Sequence, residues 1–226
     1  QLLAKDARTG RAKILISGNP AVQNLQVSDD LRACMDNLRF KYGRLVLFCG
    51  EGEGTADLLR VALGSLRMST EDFVLIPRFH PKYADKPALR IAWDAMLDLF
   101  GGRDSLGRKQ VLRLDDVSNT DALAALCDIT MSGVSTTLIH AAKNGRLSVA
   151  ITTPYCQALY QPSVDGMYQR FPGVDLGYAL ELTKPVNNLF ELCAEKRQQC
   201  LEAAKKAFEA HMSPYEMAEA IVAVAK

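Results

Sequence analysis

The stretch RLVLFCGEGEGTADLLR, residues 44–60, contains in order an apolar run, three alternating glycines and a helical pattern. The run 45–49 has the length and composition of a buried strand, and the glycines that follow it mark a turn. A strand, a glycine turn and a helix are also how a dinucleotide-binding domain begins. The stretch therefore raises the question of whether the chain binds such a cofactor.

The dinucleotide fingerprint G-x-G-x-x-G is incomplete in this turn. Counted from Gly50, the third glycine, which lets helix and strand pack closely, falls at Thr55. The next strand, 73–76, also lacks an acidic residue at its end that could hold the ribose hydroxyls. Because isolated glycine motifs give many false positives, we expect that this loop does not bind a dinucleotide.

The composition is that of an ordinary globular protein. The chain has 226 residues, of which 48% are hydrophobic and 23% charged, and its formal net charge is +1. A nearly neutral surface gives no electrostatic reason to expect a nucleic-acid partner. No apolar run approaches the roughly 20 residues that cross a bilayer, and the start of the chain does not resemble a signal peptide. We therefore expect a cytoplasmic location and no transmembrane segment.

The six cysteines form no pattern typical of a metal site. None belongs to a C-x-x-C pair, and the three histidines are scattered. Cys49 and Cys127 lie in or beside apolar runs, which indicates buried free thiols in a reducing compartment. We expect no bound metal and no required cofactor.

Apolar runs of strand length alternate with helical patterns along most of the chain. The strand patterns are at 13–17, 45–49, 73–76, 110–114, 128–131, 148–152 and 178–182. The helical patterns are near 28–42, 55–67, 85–100, 119–126, 136–144, 186–211 and 214–225, and the segment 154–177 is typical of an ordered loop. Continuous apolar strands alternating with helices predict an α/β fold: a doubly wound, mostly parallel Rossmann-like sheet with helices on both faces.

Polar residues and glycines follow the predicted strands, where an α/β sheet binds its ligands. These groups are Gly50-Glu51-Gly52, Arg78-Phe79-His80-Pro81 and Ser132-Gly133-Val134-Ser135-Thr136-Thr137. Hydroxyls and backbone N–H groups at the start of a helix suit an anion. Each group alone is ordinary turn or capping chemistry, but together they predict a phosphate site. No P-loop lysine is present, so the pattern is not that of an NTPase.

The order of these motifs resembles a known family. Gly-Asn-Pro at 18–20, R-x-H-P at 78–81 and D-x-x-x-S-G-x-S-T-x-x-x-x-A-A at 128–142 are similar to the C-terminal, donor-binding domain of GT-B-type glycosyltransferases. The branch with these motifs contains the UDP-N-acetylglucosamine 2-epimerases and the bacterial sialyl-, Kdo- and capsule-polymer transferases. The motifs are short, but the resemblance runs in order from about residue 13 to residue 226.

The resemblance implies one half of a GT-B fold that binds a UDP- or CMP-linked sugar during polysaccharide or glycoconjugate synthesis. It implies a tail or linker at 1–12, a nucleotide-sugar-binding domain at 13–212, and a helix at 213–226 that crosses to an N-terminal domain. The N-terminal acceptor domain or subunit, which carries the catalytic base in such enzymes, would be the partner of this chain.

The resemblance also assigns roles to individual residues. His80 would be the catalytic residue, since it contacts the leaving phosphate and imidazole exchanges its proton near neutral pH. The substrate-binding residues would be Gly50, Glu51, Gly52, Arg78, His80, Ser132, Gly133, Ser135, Thr136, Thr137 and His140. His140 departs from the family pattern, which has an acid there to hold the ribose hydroxyls.

Two alternative functions stay open at this point. The histidine at position 140, in place of the family's acid, favours a non-catalytic or regulatory nucleotide-binding module. Such a module could have the same fold, because fold alone does not fix function. The R-x-H-P strand end at 78–81 is also found in glycerophosphate-polymer transferases, which makes a domain of that kind the other candidate.

Overall fold

The computed structural model of the chain describes residues 25–103, 106–114, 116–117, 119–160 and 170–208. The predicted strand at 13–17 and the helix predicted at 214–225 lie outside these residues. The proposed segment boundaries at 1–12, 13–212 and 213–226 therefore stay predictions.

Within the described residues, five parallel strands form one sheet, as predicted for the doubly wound class. They are β1 Arg44–Cys49, β2 Phe73–Arg78, β3 Ile129–Ser132, β4 Leu147–Ile151 and β5 Ala179–Leu182. Their order in the sheet is β2-β1-β3-β4-β5, and every pairing is parallel. β2 is added on one side of β1, and β3 to β5 are added on the other side. The point between β1 and β3, where the order of addition reverses, is the switch point of a doubly wound fold.

Helices follow the strands and cover the sheet. They are α1 Asp29–Tyr42, α2 Thr55–Arg67, α3 Pro87–Phe100, α4 Thr120–Leu126, α5 Thr137–Lys143, α6 Pro154–Tyr160, α7 Pro172–Asp175 and α8 Leu189–Phe208. Two short 3-10 helices, Gly52–Gly54 and Pro81–Tyr83, lie in the loops after β1 and β2. No helix within the described ranges has both the length and the apolar composition required to cross a membrane.

Both faces of the sheet are buried, which explains the continuous apolar runs in the sequence. Val46 and Phe48 of β1 pack on one face, in a cluster with α2, α3 and α8. Leu45 and Leu47 point to the other face and pack with α1 and α4. All four side chains have no exposed surface, so β1 is enclosed by helices as well as by its neighbouring strands.

Two sequence-based expectations about the elements differ from the structure. The run predicted as a strand at 110–114 makes only an isolated bridge, from Val111 to Leu75 at the outer edge of β2. The next position of β2 on that side is Pro77, which has no N–H to extend the ladder. The segment 154–177, for which the sequence predicts a loop, contains α6 and α7. Both helices have proline at their first position, and Thr153 Oγ1 accepts a hydrogen bond from Cys156 N (3.3 Å), as an N-cap does.

A buried carboxylate joins several elements at the amino-terminal edge of the sheet. Asp128, only 9% exposed, precedes β3 and accepts hydrogen bonds from Leu45 N (2.9 Å) and Arg39 Nε (3.2 Å). Arg39 also donates to the carbonyl of Leu126 (2.7 Å). Asp128 thus links α1, β1 and β3 through one charged group.

The cysteines are all unpaired, and five of the six are buried. Burial raises the pKa of Cys49 and Cys193 to about 12 and also raises the pKa of Cys127 and Cys200. The expectation of buried free thiols at Cys49 and Cys127 is confirmed. Cys34 on α1 is the exposed one.

We expect Asp128→Asn to lower the free energy of unfolding by roughly 1–3 kcal/mol, because a charge-assisted hydrogen-bond network is lost at a buried position. Urea unfolding of both proteins measures the difference. Asp36→Asn is the matched control, because Asp36 pairs with the same Arg39 (2.8 Å) but its side chain is 63% exposed, and exposed pairs contribute little. Equal losses in the two variants would contradict a structural role for Asp128.

Candidate functional site

Three of the predicted loops meet at the carboxyl edge of the sheet. β1 lies between β2 and β3, so the loops that follow these strands are neighbours. Gly50 N donates to the carbonyl of Arg78 (2.9 Å), which holds the first two loops side by side. The site residues predicted in these loops are thus brought to the edge where open α/β sheets bind their ligands.

Glu51 connects the loop after β1 to the loop after β3. Its Oε1 accepts hydrogen bonds from Ser132 Oγ (2.7 Å) and Val134 N (2.9 Å). Burial raises the pKa of Glu51, while Ser132, Val134, His80 and Gly133 lower it by a smaller amount. The Val134 amide, one of the N–H groups expected to be available to a phosphate, therefore binds a carboxylate of the chain itself.

The glycines in the opening loop allow two tyrosines to approach its backbone. Gly52 has a φ of +68°, and a Cβ there would lie 2.3 Å from the ring of Tyr83. A Cβ on Gly54 would lie 2.1 Å from the ring of Tyr155, whose hydroxyl donates to Glu51 O (3.3 Å). The alternating glycines thus serve close packing against aromatic rings.

His80 lies exposed at the start of the 3-10 helix after β2. Its Nδ1 accepts a hydrogen bond from Lys82 N (3.1 Å), and its ring packs edge-on against Tyr83 at 5.5 Å between centroids. In a neutral imidazole with Nδ1 as acceptor, Nε2 carries the proton. The hydrogen bond from Lys82 N therefore favours the neutral tautomer in which Nε2 of His80 is an N–H donor.

Arg78 ends β2 with its guanidinium on the same edge. Its Nη1 donates to the carbonyl of Leu114 (2.6 Å), and its charge lowers the pKa of Cys49, against the larger effect of burial. Arg78 and His80 are two residues apart, so a positive group and an N–H donor occur together beside the loop after β1.

The hydroxyls in the loop after β3 differ in their environments. Ser135 Oγ accepts from Thr137 N (3.3 Å) and from Thr137 Oγ1 (2.7 Å), and Thr137 is buried. Thr136 is exposed. Gly133 is packed inward, since a Cβ there would lie 2.7 Å from the Sγ of Cys156. Thr136 is therefore the hydroxyl of this group most accessible to a ligand.

His140 is buried in α5 instead of facing solvent. Its side chain is 6% exposed, and its Nε2 lies 3.4 Å from Oδ2 of Asp121 on α4. Its Nδ1 has no hydrogen-bond partner among the described residues. The imidazole thus contacts the carboxylate of Asp121, whose side chain is 36% exposed, and the role of His140 in binding ribose stays a prediction.

Three residues that contact the predicted site residues could not be identified from the sequence: Tyr83, Asp121 and Tyr155. Each comes from a segment after a strand or at a helix start, and the Thr-Pro pair at 153–154 was the available signal for the helix that carries Tyr155. Within the described residues, no three or more His, Cys, Asp or Glu side chains form a group able to hold a metal ion.

We expect His140→Glu to lower the free energy of unfolding by roughly 3 kcal/mol, because it places a second carboxylate at a buried position beside Asp121. Urea unfolding near neutral pH measures the loss. His140→Gln, which keeps an N–H donor without a charge, is the matched control, and adding Asp121→Asn to His140→Glu should restore the part of the stability that is lost to repulsion between the two carboxylates. A His140→Glu chain as stable as the wild type would show that the two side chains do not interact.

Comparison with known proteins identifies the fold. No protein-family model matches the chain, and neither does any curated protein. A glycosyltransferase from Rickettsia africae ESF-5 superposes with a TM-score of 0.55 at 13% identity, over 90% of this chain and 52% of that one. The wall teichoic acid polymerase TagF superposes with a TM-score of 0.51 at 13% identity, over 85% of this chain and 46% of that one.

These likenesses concern the fold alone, because the sequence identities are low. The chain spans about half the length of each of these solved proteins. Its five-stranded parallel sheet with helices on both faces is a Rossmann-like domain that matches one half of a GT-B fold.

Proposed function

We propose that the chain is the donor-nucleotide-binding domain of a glycosyltransferase that acts on a UDP- or CMP-linked sugar. One observation supports the proposal: Arg78, His80 and Val134 come from the ends of neighbouring strands, at the carboxyl edge of a GT-B-like half-domain. A cation, an imidazole N–H and a backbone amide are the groups that bind a phosphate. The superposition on a glycosyltransferase supports the choice of reaction class.

The proposed chemistry is displacement at an anomeric carbon. The bond between that carbon and a phosphate oxygen breaks, a bond to an acceptor oxygen forms, and negative charge develops on the departing nucleotide. Arg78 and the Nε2–H of His80 would stabilise that charge, an effect that is large when donors are already fixed in place. The hydrogen bond from Lys82 N to His80 Nδ1 keeps the imidazole in the donating tautomer.

The acceptor site and the base that removes the acceptor proton belong, in this proposal, to an N-terminal domain or a separate subunit. The chain spans about half the length of the solved proteins that share its fold. A GT-B enzyme places its donor and acceptor in a cleft between two such halves. The chain alone would then bind nucleotide and turn over little.

A glycerophosphate-polymer transferase domain is the second candidate. The superposition on wall teichoic acid polymerase TagF, together with the R-x-H-P sequence at 78–81, favours it. This reaction also releases a nucleotide phosphate, so the same edge of the sheet would serve it. A non-catalytic nucleotide-binding module is the remaining alternative, favoured by the contact of His140 with Asp121 (3.4 Å).

We expect uridine or cytidine nucleotides to bind the chain at millimolar concentration and Arg78→Ala to weaken that binding by about tenfold, the scale of one charged hydrogen bond. Calorimetric titration with UMP, UDP, CMP and CDP-glycerol measures both. Arg67→Ala is the matched control, because Arg67 ends α2 and contacts Leu99 O (3.1 Å), away from the three loops. If no nucleotide gives heat or a thermal shift, the donor-domain proposal is wrong.

We expect His80→Asn to lower the rate of nucleotide release by roughly 10²-fold, because one preorganised donor to the leaving group is lost. Asparagine can still cap the helix at 81–83, so the variant tests the Nε2–H and not the loop. The assay uses the chain together with its acceptor domain or subunit, with circular dichroism to verify folding. Lys82→Ala controls for a nearby positive charge; a His80→Asn rate equal to the wild-type rate would exclude His80 from the mechanism.

A further inference from the structure

The carboxylate of Glu51 lies where two hydrogen-bond donors converge. Ser132 Oγ and Val134 N are 2.7 and 2.9 Å from its Oε1, and the backbone of Gly133, between them, lowers the pKa of this carboxyl. A hydroxyl and a backbone amide that point to one position are donors of the kind that binds anions. The anion in this position is a side chain of the protein itself.

Ser132 has too few protons for its two neighbours when Glu51 is ionised. Its hydroxyl lies 2.8 Å from the carbonyl of Cys49 and 2.7 Å from Glu51 Oε1. A hydroxyl donates one proton only, and the carbonyl can only accept. An ionised Glu51 therefore shares the Ser132 proton with the carbonyl of Cys49, so the hydrogen bond from Ser132 offsets only part of the burial that raises the pKa of this carboxyl.

The loop of Glu51 is held by contacts that do not involve its carboxylate. Glu51 N donates to Thr55 Oγ1 (2.7 Å), and Glu51 O accepts from the hydroxyl of Tyr155 (3.3 Å). The glycine at 54 is packed under the Tyr155 ring. The backbone at position 51 is thus held independently of the carboxylate.

We propose that Glu51 controls anion binding at this edge: its carboxylate fills the anion position formed by Ser132, Gly133 and Val134, and a ligand phosphate occupies that position only by displacing it. The identity of the ligand as a nucleotide phosphate rests on the proposed function. The anion position itself rests on the contacts of Glu51. Glu51 is in this sense a specificity-determining residue, since the ionised form repels the ligand class that its neighbours attract.

The proposal requires a pH dependence of a definite sign. Because the pKa of Glu51 is raised by burial, its carboxyl is protonated at a higher pH than an ordinary glutamate. Protonation removes the repulsion, so anion affinity rises as the pH falls through that pKa. Other titratable or charged groups interact with this carboxyl or lie beside it: His80 and Arg78 from β2 and its loop, Tyr155 from α6, Cys49 from β1, and Tyr83 and Glu53 from the 3-10 helices.

The test compares Glu51→Gln with Glu53→Gln, which removes the same charge two residues away. Glu53 is exposed and pairs with Lys86 (3.1 Å), without contact to the donor group. The probes are sulfate, whose charge does not change over the pH range used, and UDP. Amide chemical shifts of Gly133 and Val134 give the affinity and the location of binding, and thermal unfolding verifies that each variant is folded.

We expect Glu51→Gln to bind sulfate and UDP at least about tenfold more tightly than the wild type near pH 8. The repulsion between a carboxylate and an anion a few ångströms apart is large enough to weaken binding by that factor or more. Glu53→Gln should stay within roughly twofold of the wild type, since an exposed charge is screened. Wild-type affinity for sulfate should rise as the pH is lowered toward the pKa of Glu51, starting at a higher pH than for an ordinary glutamate, and Glu51→Gln should lose most of that rise. His80→Asn should retain it, which separates Glu51 from the imidazole.

The outcomes distinguish this proposal from the proposed function. Sulfate bound more tightly by Glu51→Gln, with no nucleotide bound by any variant, supports the role of Glu51 and contradicts the donor-domain function. UDP bound equally by wild type and Glu51→Gln, without a shift of the Val134 amide, supports the donor-domain function and overturns the role of Glu51. If Glu51→Gln fails to fold, the pH titration of the wild type and of His80→Asn decides, and a flat sulfate affinity in both would refute the proposal.

Discussion

The position of β1 determines the layout of the molecule. The strand is hydrogen-bonded on both sides, to β2 and β3, and helices bury both of its faces. A segment enclosed in this way can continue only at the carboxyl edge, between the loops that follow its two neighbours. Gly50 and Glu51 therefore lie at the centre of that edge, and the contacts of Glu51 with Ser132 and Val134 follow from the topology.

The two edges of the sheet are held together by different chemistry. At the amino-terminal edge, the buried carboxylate of Asp128 pairs with the guanidinium of Arg39 (3.2 Å) and lies 3.8 Å from that of Arg146. At the opposite edge, the carboxylate of Glu51 is held by neutral donors, Ser132 Oγ and Val134 N. The ion pair of Asp128 stabilises the fold. Protonation of Glu51, in contrast, removes a negative charge without breaking an ion pair.

The fold could be predicted from the sequence because its signals are local. The apolar runs at 45–49 and 73–76 and the helical pattern at 55–67 each depend on neighbours within a few residues. The contact of Glu51 with Val134 joins positions 83 residues apart, and no periodicity reports on such a distance. The same is true of His140 and Asp121, where the sequence showed an unusual residue but not the carboxylate beside it. Helix α6 is harder to predict for another reason: Pro154 is as common in a loop as at the first position of a helix, and the hydrogen bond of Thr153 with Cys156 N (3.3 Å) that favours the helix shows only in the structure.

The positions of the cysteines make the number of reactive thiols differ between the folded and the unfolded chain. Burial encloses five cysteines and suppresses the ionisation of four of them, whereas Cys34 lies exposed on α1. Thiolates, and not thiols, are alkylated, so a maleimide dye attaches to the native protein at one position without any engineered cysteine. Each opening of the core adds up to five reactive groups, which makes the number of labelled thiols a direct measure of how much of the sheet is exposed.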